Sequence, residues 1–76
     1  MTNEKLLNEK IAACGKKKSY LAEKCNLSKM GFYNCVKNKS EFKISHIDVL
    51  CRELQITSLK EKDSIFFAKN DSLNES

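Results

Sequence analysis

The sequence predicts an all-α fold of five helices in one domain. Three observations carry this reading. Proline is absent and glycine occurs only at Gly15 and Gly31, so few positions interrupt a helix. Apolar residues recur at spacings of three and four in separate segments. Between those segments stand Asn, Ser and Thr, which cap helices and make tight turns.

The first helix is expected from about Thr2 or Asn3 to Cys14. Either residue is a suitable cap, and Glu4 falls in the first turn, where the helix dipole favours an acid. Leu7, Ile11 and Cys14 form its apolar stripe, and Gly15 is a natural stop. After the basic run Lys16 to Lys18, Ser19 to Cys25 reads as a short second helix with Leu21, Ala22 and Cys25 inward. Asn26 breaks the pattern and tolerates the left-handed conformation.

Leu27 then anchors a turn, and Ser28 caps a third helix from Lys29 to about Lys37, with Phe32 and Cys35 facing in. Asn38 to Lys43 is a polar loop whose Phe42 tucks into the core. Ser45 is the expected cap of a fourth helix reaching Leu54, with Ile47, Leu50, Cys51 and Leu54 on one face. Ile56 closes the next turn. Ser58 caps a fifth helix through about Ala68, with Leu59, Ile65, Phe66 and Phe67 apolar. The domain is thus expected over residues 1–69, followed by a flexible polar tail over 70–76.

A chain of 76 residues buries a modest core, with net stability of about 3–5 kcal/mol unless a partner helps. No apolar run approaches the length of a membrane span, and the opening residues lack a signal-peptide pattern, so a cytoplasmic location is expected. Cysteines stand at positions 14, 25, 35 and 51, too far apart for a C-x-x-C clip, and His46 is the only histidine. Three of the four fall on apolar helix faces, so they read as reduced, buried, small hydrophobes, with no metal and no cofactor. His46 itself reads as structural or solvated. Nothing resembles a catalytic constellation, because no base partners a nucleophile such as Ser19, and no enzymatic activity is expected.

The formal charge of +4 is unevenly spread. Residues 16–43 hold eight lysines against Glu23 and Glu41, whereas residues 44–76 are net acidic. A positive field concentrated in mid-chain suits an anionic partner.

Within that basic stretch, KSYLAEKCNLSKMGFYNCVK at 18–37 has the pattern of a helix-turn-helix. Ala22 is small enough for close approach of two helices, Asn26 suits the turn, and Leu21, Cys25, Leu27, Phe32 and Cys35 sit where the angle between helices must be filled. This stretch resembles the lambda-repressor/Cro-like (Xre-type) family of DNA-binding domains, and the likeness extends over about residues 4–60. LAEKCNLSKMGFYN is similar to the family's LAEKLGIS run followed by its recognition helix. A GFYN-x-x-x-x-KSEF block at Gly31 to Phe42 and IFFA at Ile65 to Ala68 resemble small phage-encoded Cro-like proteins of Gram-positive hosts. Asn26 stands in place of the usual turn glycine. Gly31 inside the third helix costs about 1 kcal/mol against alanine.

The resemblance implies a compact five-helix, lambda-repressor-like domain with the motif at helices two and three. It implies a repressor that binds operator DNA as a homodimer and occludes promoters, with no small-molecule ligand. Carried over position by position, Lys29, Met30, Tyr33 and Asn34 read base edges in the major groove: Lys29 at guanine, Asn34 at adenine, Met30 and Tyr33 against thymine methyls. Lys17, Lys18, Lys37, Lys39 and Lys43 look like phosphate contacts, with Ser28 and Ser40 adding neutral ones. Ile65, Phe66 and Phe67 are the candidate dimer surface, against the alternative that two of them close the monomer core. The rival readings are a DNA-binding antitoxin and an antirepressor that uses the same fold to cover a protein.

Overall fold

Local capping chemistry sets most of the helix ends. The computed structural model describes residues 1–68. The first helix, α1, spans Glu4–Cys14: the Asn3 side chain accepts from the Leu6 backbone N–H at 3.1 Å, and Gly15 ends the helix in the left-handed region at φ 67°. Helix α2 (Lys18–Lys24) begins after Lys17, whose side chain makes no capping bond, and ends at Cys25. Asn26 follows with φ 58°, the left-handed turn its short amide side chain tolerates. Helix α3 (Lys29–Val36) is capped by Ser28, whose hydroxyl oxygen accepts from the Gly31 N–H at 3.0 Å.

Helix α4 (Ile44–Glu53) starts one residue before the serine expected to cap it. Lys43 occupies the cap position, and its backbone N–H donates to His46 Nδ1 at 3.2 Å. The imidazole at the third helical position thus satisfies the N–H of the cap residue, the reverse of the bond a capping serine makes, and Ser45 lies inside the helix. Helix α5 (Leu59–Phe66) is capped by Ser58, which accepts from the Glu61 N–H. It stops at Phe66, short of the Ala68 expected from the apolar run. The polar tail expected over 70–76 lies outside the described residues.

All regular structure among the described residues is helical. Helix α2 packs on α3 and α4, and α1 packs on α5. Leu7 of α1, Leu21 of α2, Leu50 of α4 and Leu54, which caps α4, are fully sealed at the centre. Truncating any of them to alanine falls in the class that costs about 2–5 kcal/mol. Around them lie Ile11, Ala22, Cys25, Phe32, Val36, Ile47, Ile56, Ile65 and Phe66. Phe42 reaches in from the α3–α4 loop and meets Phe32 and Phe66 edge-to-face, at centroid distances of 5.8 and 5.9 Å.

All four cysteines are free thiols; Cys25 and Cys35 are buried, and Cys14 and Cys51 are partly buried. Burial pushes the Cys25 thiol up to about 11, with the Cys35 and Glu53 charges adding to it. Leu59, expected on an apolar face, is 75% exposed, because it sits in the first turn of α5 outside the packed stripe.

Residues 1–3 add a seam that joins distant parts of the chain. The Asn3 N–H donates to the Ile65 carbonyl at 2.7 Å, and the Ala68 N–H donates to the Met1 carbonyl at 2.9 Å. Asn38, itself left-handed at φ 66°, clamps Thr2: its Oδ1 accepts from the Thr2 N–H and its Nδ2 donates to the Thr2 carbonyl, both at 2.8 Å. This seam holds the exit of α3 against the end of α5.

Candidate nucleic-acid interface

The residues singled out on α3 are spread over its outer surface. Phe32, Cys35 and Val36 face the core, which turns Lys29, Met30 and Tyr33 outward; Met30 is 66% exposed. Asn34 is half-buried at the edge of that surface, and its backbone carbonyl accepts from Lys39 and Ser40 N–H at 2.8 and 3.2 Å. Those two bonds fold the loop back on α3, so Lys39 and Ser40 are both exposed beside the helix end.

Tyr33 stands between two cations. Lys37 Nζ lies 5.6 Å and Lys39 Nζ 5.9 Å from its ring centroid. Lys37 is also paired with a carboxylate, its Nζ 2.5 Å from Glu4 Oε2 on α1. The Glu4 hydrogen bond, with its charge, holds the Lys37 ammonium above the usual lysine range. Ser28 spends one lone pair on its helix cap, and its hydroxyl proton remains able to donate to a phosphate.

Lys17 and Lys18, both exposed, sit at the cap and first residue of α2. Lys18, Lys29, Tyr33 and Lys37 line one cleft of about 470 Å³ formed by the starts of α1 and α2 and the outer side of α3. Four of the eleven residues expected from sequence to meet a nucleic acid are therefore gathered at a single place. Lys43 is not among them: it borders a separate hollow with Lys24, Asn26 and His46.

Of the three residues expected to form a dimer surface, Ile65 and Phe66 belong to the monomer core, at 2% and 4% exposure. Phe67 is 51% exposed, beside Met1 and Phe42. The core takes the consecutive pair Ile65 and Phe66, and Phe67, the cap residue just past α5, turns out of it.

Tyr20 is a further structured residue of this side of the molecule that no sequence motif marks. Its hydroxyl donates to Glu53 Oε1 at 3.0 Å, and Lys16 Nζ reaches the same oxygen at 3.3 Å. Lys16 and Lys24 also lie 5.3 and 5.4 Å from its ring centroid. The network ties α2 to the end of α4, and the Tyr20 hydrogen bond chiefly holds the Glu53 carboxyl below the usual range, with Lys16 assisting. The local signal was present as Lys16, Tyr20 and Lys24 at spacings of four, but Glu53 is 33 residues away from Tyr20.

Among the described residues, no group of three or more His, Cys, Asp or Glu side chains is arranged to hold a metal ion. No helix there is long and apolar enough to cross a membrane. No protein-family profile, curated protein or solved structure matches the chain.

Proposed function

We propose that the protein is a non-catalytic, sequence-specific DNA-binding regulator of the lambda-repressor/Cro-like type. The observation that carries the reading is the unit made by α2, the left-handed Asn26, the Ser28 cap and α3. It presents Lys29, Met30 and Tyr33 outward, with Lys18 and Lys37 on either side. In this reading α2 and α3 are the helix-turn-helix and α3 enters the major groove. Lys29 donates to guanine, and Tyr33 and Met30 pack on thymine methyls; Asn34, at the edge of the face, reaches adenine. Lys17, Lys18, Ser28, Lys39 and Ser40 meet phosphates and set the register. Operator binding as a homodimer places two α3 helices about 34 Å apart, and repression follows from promoter occlusion.

The test is selection of bound sites from random duplex DNA, followed by titration of the selected duplex across a range of salt. Affinity should fall steeply as salt rises, with a slope reflecting several released counterions. Lys18→Ala should weaken binding on every duplex, and Asn34→Ala should cost roughly 1–3 kcal/mol at one base pair. A flat salt dependence on all duplexes would refute the reading and favour a protein-covering antirepressor.

A further inference from the structure

The cleft that gathers Lys18, Lys29, Tyr33 and Lys37 has a chemistry that nucleic-acid docking does not use up. Phe32 and Val36, both core residues, form its apolar floor. Asn8 of α1 lines it as well, and the Asn8 side-chain oxygen is sealed from solvent without accepting a hydrogen bond among the described residues. Buried acceptors are seldom left unpaired, so this one marks a place for an incoming donor. A donor bound in the cleft reaches that oxygen only if the Asn8 amide turns about its Cβ–Cγ bond. Three lysines against the single carboxylate of Glu4 give the lining a positive balance, and Glu4 is already occupied by Lys37. A volume of about 470 Å³ with an apolar floor and a few convergent polar groups is the form of a small-molecule site.

We propose that this cleft binds a small planar anion carrying an N–H donor, of the size and type of a nucleoside monophosphate. Its ring lies on Phe32 and Val36, its donor meets the Asn8 oxygen, and its phosphate is held by Lys18 and Lys29. Because Lys29 and Tyr33 also belong to the candidate DNA face, an occupied cleft excludes duplex DNA. That consequence rests on the DNA-binding reading; the binding of the anion does not.

The experiment titrates the ¹⁵N-labelled full chain with adenosine 5′-monophosphate in the absence of DNA. Saturable shifts are expected at the Asn8 side-chain amide and at the backbone amides of Lys18, Phe32 and Tyr33. Adenosine and ribose 5-phosphate, each lacking one half of the ligand, should bind at least about ten-fold more weakly. Asn8→Leu should weaken adenosine 5′-monophosphate by a similar factor. Lys18→Glu, a change at an exposed site, should do the same even where Asn8→Leu disturbs folding. Shifts that inorganic phosphate reproduces in full mean adventitious anion binding and overturn the proposal, as does no saturable shift at millimolar nucleotide.

A second arm adds the nucleotide to the protein bound to its selected duplex, read by fluorescence anisotropy. Release of the duplex supports the exclusion, and simultaneous binding refutes it. If the nucleotide binds but no duplex does, the DNA-binding reading falls and the cleft stands. If the duplex binds but the nucleotide does not, the reverse holds.

Discussion

The Lys37 ammonium is bonded to the Glu4 carboxylate, which ties the exit of α3 to the first turn of α1 and places an acid at the edge of a basic face. Lys37 therefore does not meet a phosphate without leaving a partner 33 residues away in sequence. Glu4→Gln removes that partner and one negative charge together. The expected result is tighter duplex binding at low salt and a salt slope steeper by about 0.9, the increment of one more neutralised phosphate. Both ends of the pair are exposed to water, so its loss should change the melting temperature little. An unchanged slope in Glu4→Gln would mean that Lys37 takes no part in binding.

Asn38 holds Thr2 by two hydrogen bonds and adopts a left-handed backbone while doing so. Asn38→Ala loses both bonds and places an unsuited residue at positive φ, so a destabilisation of about 2–4 kcal/mol is expected. Asn38→Gly relieves the backbone but not the clamp, and should fall between the alanine variant and the native chain. Urea unfolding of the three proteins measures the order directly; an alanine variant as stable as the native protein would contradict it.

Gly31 lies in α3 with an ordinary helical backbone, so its lack of a side chain is not required by φ. A Cβ there would stand 3.2 Å from Ser28 Oγ, the atom that caps the helix, and 3.7 Å from Leu27 Cδ2. Alanine gains about 1 kcal/mol of helix propensity and gives part of it back by crowding the cap. Gly31→Ala should therefore change stability by no more than about 0.5 kcal/mol. Thermal unfolding showing a loss well beyond that would mean the Ser28 cap does not yield at all.

Burial raises the Cys25 thiol to about 11 from an ordinary value of 9.0. Unfolded chains lose this proton first as pH rises, so the stability contribution is complete below pH 9 and is lost progressively toward pH 11. The native protein should lose this contribution over that window. Cys25→Ala is less stable at neutral pH because of the cavity, but its decline between pH 9 and 11 should be shallower. Parallel declines in the two proteins would show that Cys25 does not govern the alkaline limb.

Phe67, the cap residue after α5, is the exposed member of the apolar run Ile65 to Phe67. If it seats a second copy, Phe67→Asp yields a folded monomer with weakened self-association, measured by sedimentation. A native protein that is monomeric with and without DNA removes this surface from the account.

What the sequence disclosed and what it withheld follow from distance along the chain. Asn3, Ser28 and Ser58 each cap a helix through a bond to an N–H three residues on, and Gly15 and Asn26 take positive φ within a single turn. Such features are written locally and were legible. The start of α4 lies two residues before the one Ser45 suggests, because histidine is a less familiar capping partner than the neighbouring serine. Periodicity alone does not separate Phe66 from Phe67, since adjacent positions on a helix differ by about 100° and the core boundary passes between them. The Asn38 clamp on Thr2, the Glu4–Lys37 pair and the Tyr20–Glu53 bond all span more than thirty residues. No local pattern marks them. The unpaired Asn8 oxygen was equally silent, because Asn8 in sequence is one more polar residue on a helix.

The described ion pairs each have one end on α1 or in the turn just after it. Glu4 and Lys10 belong to α1 and Lys16 follows it, while their partners Lys37, Glu61 and Glu53 lie after α3, on α5 and on α4. Helix α1 and the turn that leaves it are thus linked to three neighbours by charge, and rising ionic strength loosens all three links together. Salt acts on this molecule twice: once on any phosphate it meets, and once, more weakly, on the links between α1 and its neighbours.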